Sequence, residues 1–376
     1  MAGLFLRLGT TAFGGPAAHI AMMEDEVVAR RRWLTHDEFV DLLGATNLIP
    51  GPNSTELAIH IGHRRAGLAG LIVAGACFIL PAALLVGGMA WAYTRYGTLP
   101  QVEGALCGIK PVVIAIITQA LWRLGPSVLK GKLLIGLTVA AVALGVVGVH
   151  ELAILFGVGL CAVVLRGVTR CRHLGKSSVH LLGVIAATPA SYAGGAAVPL
   201  AFSNGALFLF FLKVGSVLFG SGYVLLAFLR ADLVERWQWL TETQLLDAVA
   251  VGQVTPGPVF TTATFIGYLL DGPRGALIAT LGIFLPAFFF VAISSPWIPR
   301  LRQSKVTGDL LDGINAGSLA LMAVVTIHLG LTAVTDMITV TLLLVSLVLL
   351  LRYRWNSTWL ILGGAAAGLI ARALPW

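Results

Sequence analysis

Residues 47–55 read "NLIPGPNST", Asn47 to Thr55, inside a run otherwise apolar enough to lie in lipid. Proline removes a backbone donor and clashes with the preceding turn, so two prolines around a glycine end any helix that enters this stretch. Non-helical backbone at membrane depth is tolerated only where protein or a polar cavity covers it. The break must therefore serve something.

The composition identifies the solvent. Of 376 residues, 57% are hydrophobic and 11% charged, and the mean hydropathy is +0.91, outside the range of soluble domains. Windows such as Leu68–Trp91, Leu207–Leu229, Ala276–Ile293 and Leu310–Leu329 approach the ~20 residues of a spanning helix, not the ~10 of a barrel strand. The expected fold class is an all-α integral membrane protein. The net charge of +8 falls in short loops between windows, which reads as topology and not as nucleic-acid binding. Cys77, Cys107, Cys161 and Cys171 form no CxxC pair, and there is no HExxH or GxSxG, so no metal, cofactor or catalytic residue is expected.

An internal repeat follows from comparing distant stretches. "FLRLGTTAFGG" from Phe5 matches "FLKVGSVLFGS" from Phe211; "RRRWLTHDEFVDLL" matches "ERWQWLTETQLLDAV"; "NLIPGPNST" matches "QVTPGPVFT". The expected organisation is a first repeat over residues 1–165, a linker with room for an extra membrane segment over 166–210, and a second repeat over 211–376. Basic residues accumulate in cytoplasmic loops. Arg123, Lys130 and Lys132 mark one loop of the first copy, whereas its counterpart from Gly330 to Asp336 has no Lys or Arg and the next loop carries Arg352 and Arg354. Opposite bias in equivalent loops predicts inverted-topology repeats, with broken or re-entrant helices at the Pro-Gly-Pro motifs.

Inverted repeats interrupted at matching places are the pattern of secondary transporters, whose substrates bind where broken ends meet. The matching interruptions are Pro50-Gly51-Pro52 with Pro256-Gly257-Pro258, and Phe13-Gly14-Gly15 with Phe219-Gly220-Ser221. A helix that opens after such a break presents free N–H groups and a positive dipole end to an anion. Asn47, Asn53, Ser54 and Thr55 in the first copy, and Gln253, Thr255, Thr261 and Thr262 in the second, add polar groups suited to an oxyanion. Arg7 and the equivalent Lys213 are further candidates to attract it. Glu56 and His60, on one helical face after the break, are the candidates for proton coupling. The segment "MMEDEVVARRRWL" is expected to be solvated or at headgroup level, with Trp33 and Trp239 at the interface. The matched pair Asp41 and Asp247 is expected near water, and Lys110 stands in a mostly apolar window opposite Asn315 in the repeat.

These residues also carry a resemblance. "FGGPAAHIAMM", "RRRWLTHDEF", "LIPGPNSTELAIHIG", "FGSGY" and "TPGPV" closely resemble the chromate ion transporter family over nearly the whole chain. The resemblance implies a multi-pass protein of the bacterial inner membrane, with two homologous halves, that exports chromate using the proton-motive force while sulfate competes. Protons and the lipid bilayer would be its other partners, and a homodimer is an assembly left open. It points to Gly14, Gly15, Pro16, Pro50, Gly51 and Pro52, and to Gly220, Pro256, Gly257 and Pro258. The chain departs from the family pattern at His19, at Glu24-Asp25 and at Asn53 to Glu56, all near the candidate site. The residues alone leave a passive anion channel, or a carrier of another tetrahedral oxyanion, as the competing reading.

Overall fold

The computed structural model describes residues 1–12, 15–97, 99–173, 201–219, 222–294 and 304–373. The first half holds α1 (Ala2–Thr11), α2 (Gly15–Glu24) running into a π-helical segment (Asp25–Arg30), α3 (His36–Thr46), α4 (Asn53–Tyr96), α5 (Pro100–Val128), α6 (Lys132–Val146) and α7 (Glu151–His173). The second half repeats the order. It holds α8 (Asn204–Val217), α9 (Leu225–Phe228) running into a π-helical segment (Leu229–Arg236), α10 (Glu242–Val254), α11 (Thr262–Ser294), α12 (Lys305–Ala333), α13 (Met337–Arg352) and α14 (Ser357–Ala373). No strand occurs among the described residues. Five helices, α4, α5, α7, α11 and α12, contain stretches long and apolar enough to cross a bilayer.

The halves match in local detail. Thr35 caps α3 in a reciprocal box with Glu38, and Thr241 caps α10 in the same way with Gln244, so each helix start has its orphan amides satisfied. Arg32 and Gln238, just before the Trp-Leu-Thr elements, share a left-handed φ of 50° and 55°. Both long helices, α4 and α11, are in fact two legs. Gly67 and Gly272 each adopt φ 57°, a conformation open to glycine, and there the chain reverses. A Cβ on Gly62 would collide with the Gly70 carbonyl, and one on Gly267 with the Gly275 carbonyl. Only glycines allow legs this close.

In the first half Arg64, at the end of the short leg of α4, donates to Glu38 at the start of α3, 3.2 Å away. Helix α3 and that leg therefore form an antiparallel hairpin, with Pro50-Gly51-Pro52 at its tip. The segment re-enters instead of crossing.

The halves run in opposite senses, and three contacts show it. Arg166 near the end of α7 binds Asp309 and Asp312 at the start of α12, at 2.9 and 2.7 Å. Arg236, just before α10, binds Glu151 at the start of α7, 2.9 Å away. The α5–α6 loop at Lys130 and the α13–α14 loop at Arg354 line one cavity. The packing is reciprocal too: α5 lies against α13 and α14, and α12 against α6 and α7.

Two expectations need correction. The segment around Glu26 is not simply solvated, for Glu26 and Val27 are buried, with Arg7, Arg30 and Arg31 gathered on the Glu26 carboxylate. Asp247 is not near water either; it is 1% exposed, because Tyr93 and Lys110 bind it from the first half. The expected extra membrane segment of the linker lies outside the described residues for 174–200.

Candidate functional site

The four chain breaks are tied together in pairs across the halves. The Gly51 amide donates to the Leu218 carbonyl at 2.7 Å, and the equivalent Gly257 amide donates to the Ala12 carbonyl at 3.1 Å. Leu218 ends α8 and Ala12 ends α1. Each Pro-Gly-Pro turn thus satisfies the open helix end of the other copy, which answers the demand that buried backbone groups be paired. Glycine is required at both tips. Gly51 has φ 143° and Gly257 φ 90°; a Cβ on Gly51 would run into the Glu56 carboxyl, and one on Gly257 would come within 2.7 Å of Ala82 Cβ.

Beside these junctions lies a cavity of about 700 Å³. Its inner wall is formed by the first residues of two helical starts: Asn53 and Ser54 opening α4 after Pro52, and Val259 and Phe260 after Pro258. The opening amides of a helix have no intrahelical acceptor, and the residues that carry both sets line one space. Gly15, Pro16, Asn47, Gln253, Thr255 and Gly257 complete this end. Towards the surface the lining becomes basic and hydroxylic, with Arg123, Ser127 and Lys130 from α5 and its loop, and Arg354, Asn356 and Ser357 from the opposite half. A cationic mouth leading to two helix openings suits a small anion.

Side-chain hydroxyls play a smaller part than the sequence suggests. Thr255 donates to the Val251 carbonyl at 3.0 Å, Thr261 to Pro258 at 2.8 Å and Thr262 to Val259 at 2.8 Å. Such back-bonding is the ordinary fate of a helical threonine. Thr255 still lines the cavity, whereas Thr261, Thr262 and Thr55 stand behind its wall. Ser54 is engaged by His19, whose Nδ1 lies 3.3 Å from its hydroxyl while Nε2 lies 3.0 Å from the Ala12 carbonyl. Asn53 donates to Asn47 at 2.9 Å, so those two amides act as a unit on the wall.

Arg7 and Lys213 are not brought to the cavity. Arg7 pairs with Glu26, and Lys213 with Asp232, because in each half the first helix needs a cation to neutralise the carboxylate buried on the π-helical segment. Pro50, Gly51 and Pro256 lie buried behind the wall, as junction residues. Glu56 is fully buried, with neither carboxyl oxygen hydrogen-bonded among the described residues, and His60 Nε2 one turn on is likewise unpartnered. Gly14, Gly220 and Ser221 lie outside the described residues. Sequence reasoning missed His19 as a bridge between the two breaks of the first half, and missed Arg123, Lys130 and Arg354 as cavity residues. The signal for those three was present, since opposed repeats place their two basic loops on one side.

Comparison with known proteins agrees with this architecture. The Chromate transporter family model matches residues 1–164 and again 205–369. The chain is 34% identical to the chromate transport protein of Cupriavidus metallidurans, over 98% of this chain and 92% of the relative. It is 34% identical to the chromate transport protein of Pseudomonas aeruginosa, over 87% and 79%, and 25% identical to an uncharacterized transporter of Methanocaldococcus jannaschii, over 87% and 83%. No solved structure matches. With two copies of the family pattern and near full-length likeness to named members, the chain belongs to the chromate transporter family.

Proposed function

We propose that this protein is a secondary transporter of small tetrahedral oxyanions, chromate foremost, with sulfate as a competitor. It moves them out of the cytoplasm of a bacterium across the inner membrane at the expense of the proton-motive force. The observation that carries the reading is the single cavity lined by the residues of both helix openings, reached through Arg123, Lys130 and Arg354. Backbone amides at helix starts recognise negative charge without side-chain identity, which fits a dianion defined mainly by charge and shape. The side bearing the cavity mouth also holds Arg64, Arg65 and Arg166, and by the positive-inside rule it is the cytoplasmic side. An opening there is the loading position of an exporter.

Glu56 takes the role of proton carrier in this reading, with His60 beside it. It follows the Pro-Gly-Pro tip directly and abuts Gly51, so its protonation state bears on the junction that holds the cavity together. The test is chromate flux from proteoliposomes with and without a pH gradient. Glu56→Gln is expected to abolish the gradient-dependent part and leave chromate binding in place. Full gradient-driven flux in that variant would remove Glu56 from the mechanism, and equal flux with no gradient in the native protein would make it a passive pathway.

A further inference from the structure

Lys110 and Tyr93, both half-buried, meet the buried Asp247 in a charged cluster that the oxyanion site does not use. Lys110 Nζ lies 3.2 Å from Asp247 Oδ1, with the two side chains 18% and 2% exposed, and the Tyr93 hydroxyl donates to Asp247 Oδ2 at 2.9 Å. Tyr93 also sets its ring edge-on to Phe265, 5.3 Å away. Three elements meet here: α4 and α5 of the first half and α10 of the second.

The cluster lies on the side of the cavity away from its mouth. Helix α10 begins at Glu242, beside Arg230 at 2.8 Å, on the face where Arg236 meets the α6–α7 turn at Glu151. It ends at the cavity wall with Gln253. Asp247 is midway between the two. Likewise α5 carries Lys110 in its first part and the cavity residues Ile116, Gln119 and Arg123 further along.

The equivalent positions in the other half are arranged differently. Asp41, the counterpart of Asp247, is on the exposed face of α3, and Asn315, the counterpart of Lys110, lines the cavity. Beyond its hairpin partner α11, helix α10 packs against α4, α5, α12 and α14, while the substantial packing of α3 among the described elements is against its hairpin partner α4. Inverted repeats let one half show the conformation the other will take.

We propose that Lys110, Asp247 and Tyr93 are positioning residues of the transport cycle that hold the cavity shut towards the face opposite its mouth. Their separation frees α10 and opens that face, and α3 then closes on α12, bringing Asp41 towards Asn315. A buried pair between packed elements has two discrete states, made or broken, which is what a gate requires. The inference rests on the transport reading for its consequence and for which face is outward, while the gate itself is read with no oxyanion present.

The experiment places a single cysteine in the cavity, Ala120→Cys, in a chain whose Cys77, Cys107, Cys161 and Cys171 are serine. Right-side-out vesicles are treated with a membrane-impermeant methanethiosulfonate. Slow labelling is expected with the cluster intact and about tenfold faster labelling in Lys110→Ala or Asp247→Asn, since breaking a buried pair shifts the closed state by at least that factor. The exchanged pair Lys110→Asp with Asp247→Lys should return the rate towards its starting value, which a loosened fold would not do. Tyr93→Phe removes one hydrogen bond and should give a smaller rise, so it serves where a charge variant fails to insert. Unchanged labelling from this face in both Tyr93→Phe and a correctly inserted charge variant overturns the proposal, whatever the outcome of the coupled-flux experiment.

Discussion

The α3–α4 hairpin and the α10–α11 hairpin share a capping box, a Pro-Gly-Pro tip and a glycine reversal, yet they sit differently in the bundle. In α10 every residue from Leu245 to Gly252 is buried; in α3 the buried residues are Phe39, Ala45 and Thr46. Equivalent sequence therefore gives equivalent local structure, while packing is shared out unequally. That is how a two-copy protein can close one face while leaving the other accessible. Small backbone motifs build the common hairpin, and a few unmatched side chains, Lys110 against Asn315 above all, make the halves unequal.

The largest break in this comparison should come at that unmatched pair. Lys110→Ala leaves the Asp247 carboxylate buried without its cation and is expected to destabilise the protein by about 3–5 kcal/mol, whereas Asn315→Ala should change stability by no more than about 0.5 kcal/mol. Thermal unfolding of the two variants in one detergent measures the difference. Equal effects would mean that the halves are held alike.

A second contrast lies where the first helix of each half meets its π-helical segment. Asp232, 4% exposed at its side chain, holds Lys213 and Arg236, and Arg236 reaches the other half at Glu151. Glu26 is ringed by arginines whose side chains are 51%, 63% and 41% exposed, so solvent can take over their charge. Asp232→Asn should cost about 2 kcal/mol and Glu26→Gln about 1 kcal/mol or less, with the same unfolding measurement deciding.

The oxyanion site offers a sharper comparison, because its two halves donate differently. Asn53 and Asn47 form a side-chain pair on one wall, while the second copy puts Val259 opposite Asn53 and relies on its backbone. Asn53→Ala should weaken chromate binding about tenfold, the value of one hydrogen bond to a charged group, and Thr255→Val by about threefold or less, since its hydroxyl proton is engaged by Val251. Equilibrium binding to purified protein checks both. A larger loss from Thr255→Val would return the hydroxyls to the centre of recognition.

The smallest expected effect concerns two equivalent helix starts. Asp336 caps α13 in a reciprocal box with Thr339, while the counterpart of Asp336, Gly131, opens α6 with no side-chain cap. The Thr339 amide, foremost, holds the Asp336 carboxyl below the ordinary carboxylate value. A depressed folded pKa contributes stability above the unfolded pKa, and that contribution is lost as pH falls through the folded value. Asp336→Gly should therefore cost a few tenths of a kcal/mol near neutrality, and the variant and native unfolding temperatures should converge in acid.

Much of this arrangement was legible in the residues. Proline and glycine act on the backbone directly, so the breaks at Pro50-Gly51-Pro52 and Pro256-Gly257-Pro258, and their duplication, could be read without any tertiary knowledge. Loop charge gave the opposed senses of the halves for the same reason, since topology depends on a count of Lys and Arg. Side-chain partners were another matter. Arg7 and Lys213 looked like anion ligands, but the carboxylates that claim them, Glu26 and Asp232, lie on the next helical segment and are buried only by tertiary packing. Thr261 and Thr262 were polar residues at the right depth whose protons go to the preceding turn. The reciprocal bonds of Gly51 to Leu218 and Gly257 to Ala12 pair backbone groups across the repeats, and side-chain chemistry gives no signal for that.

The most direct test of the central claim is the position of bound chromate. A crystal of the protein with chromate, measured at the chromium absorption edge, marks the anion by its own scattering. The expected result is a chromium peak inside the cavity, between the openings at Asn53–Ser54 and Val259–Phe260. A peak on the outer surface, or at Arg7 or Lys213 with the cavity vacant, would contradict the claim that the paired Pro-Gly-Pro breaks build the anion site.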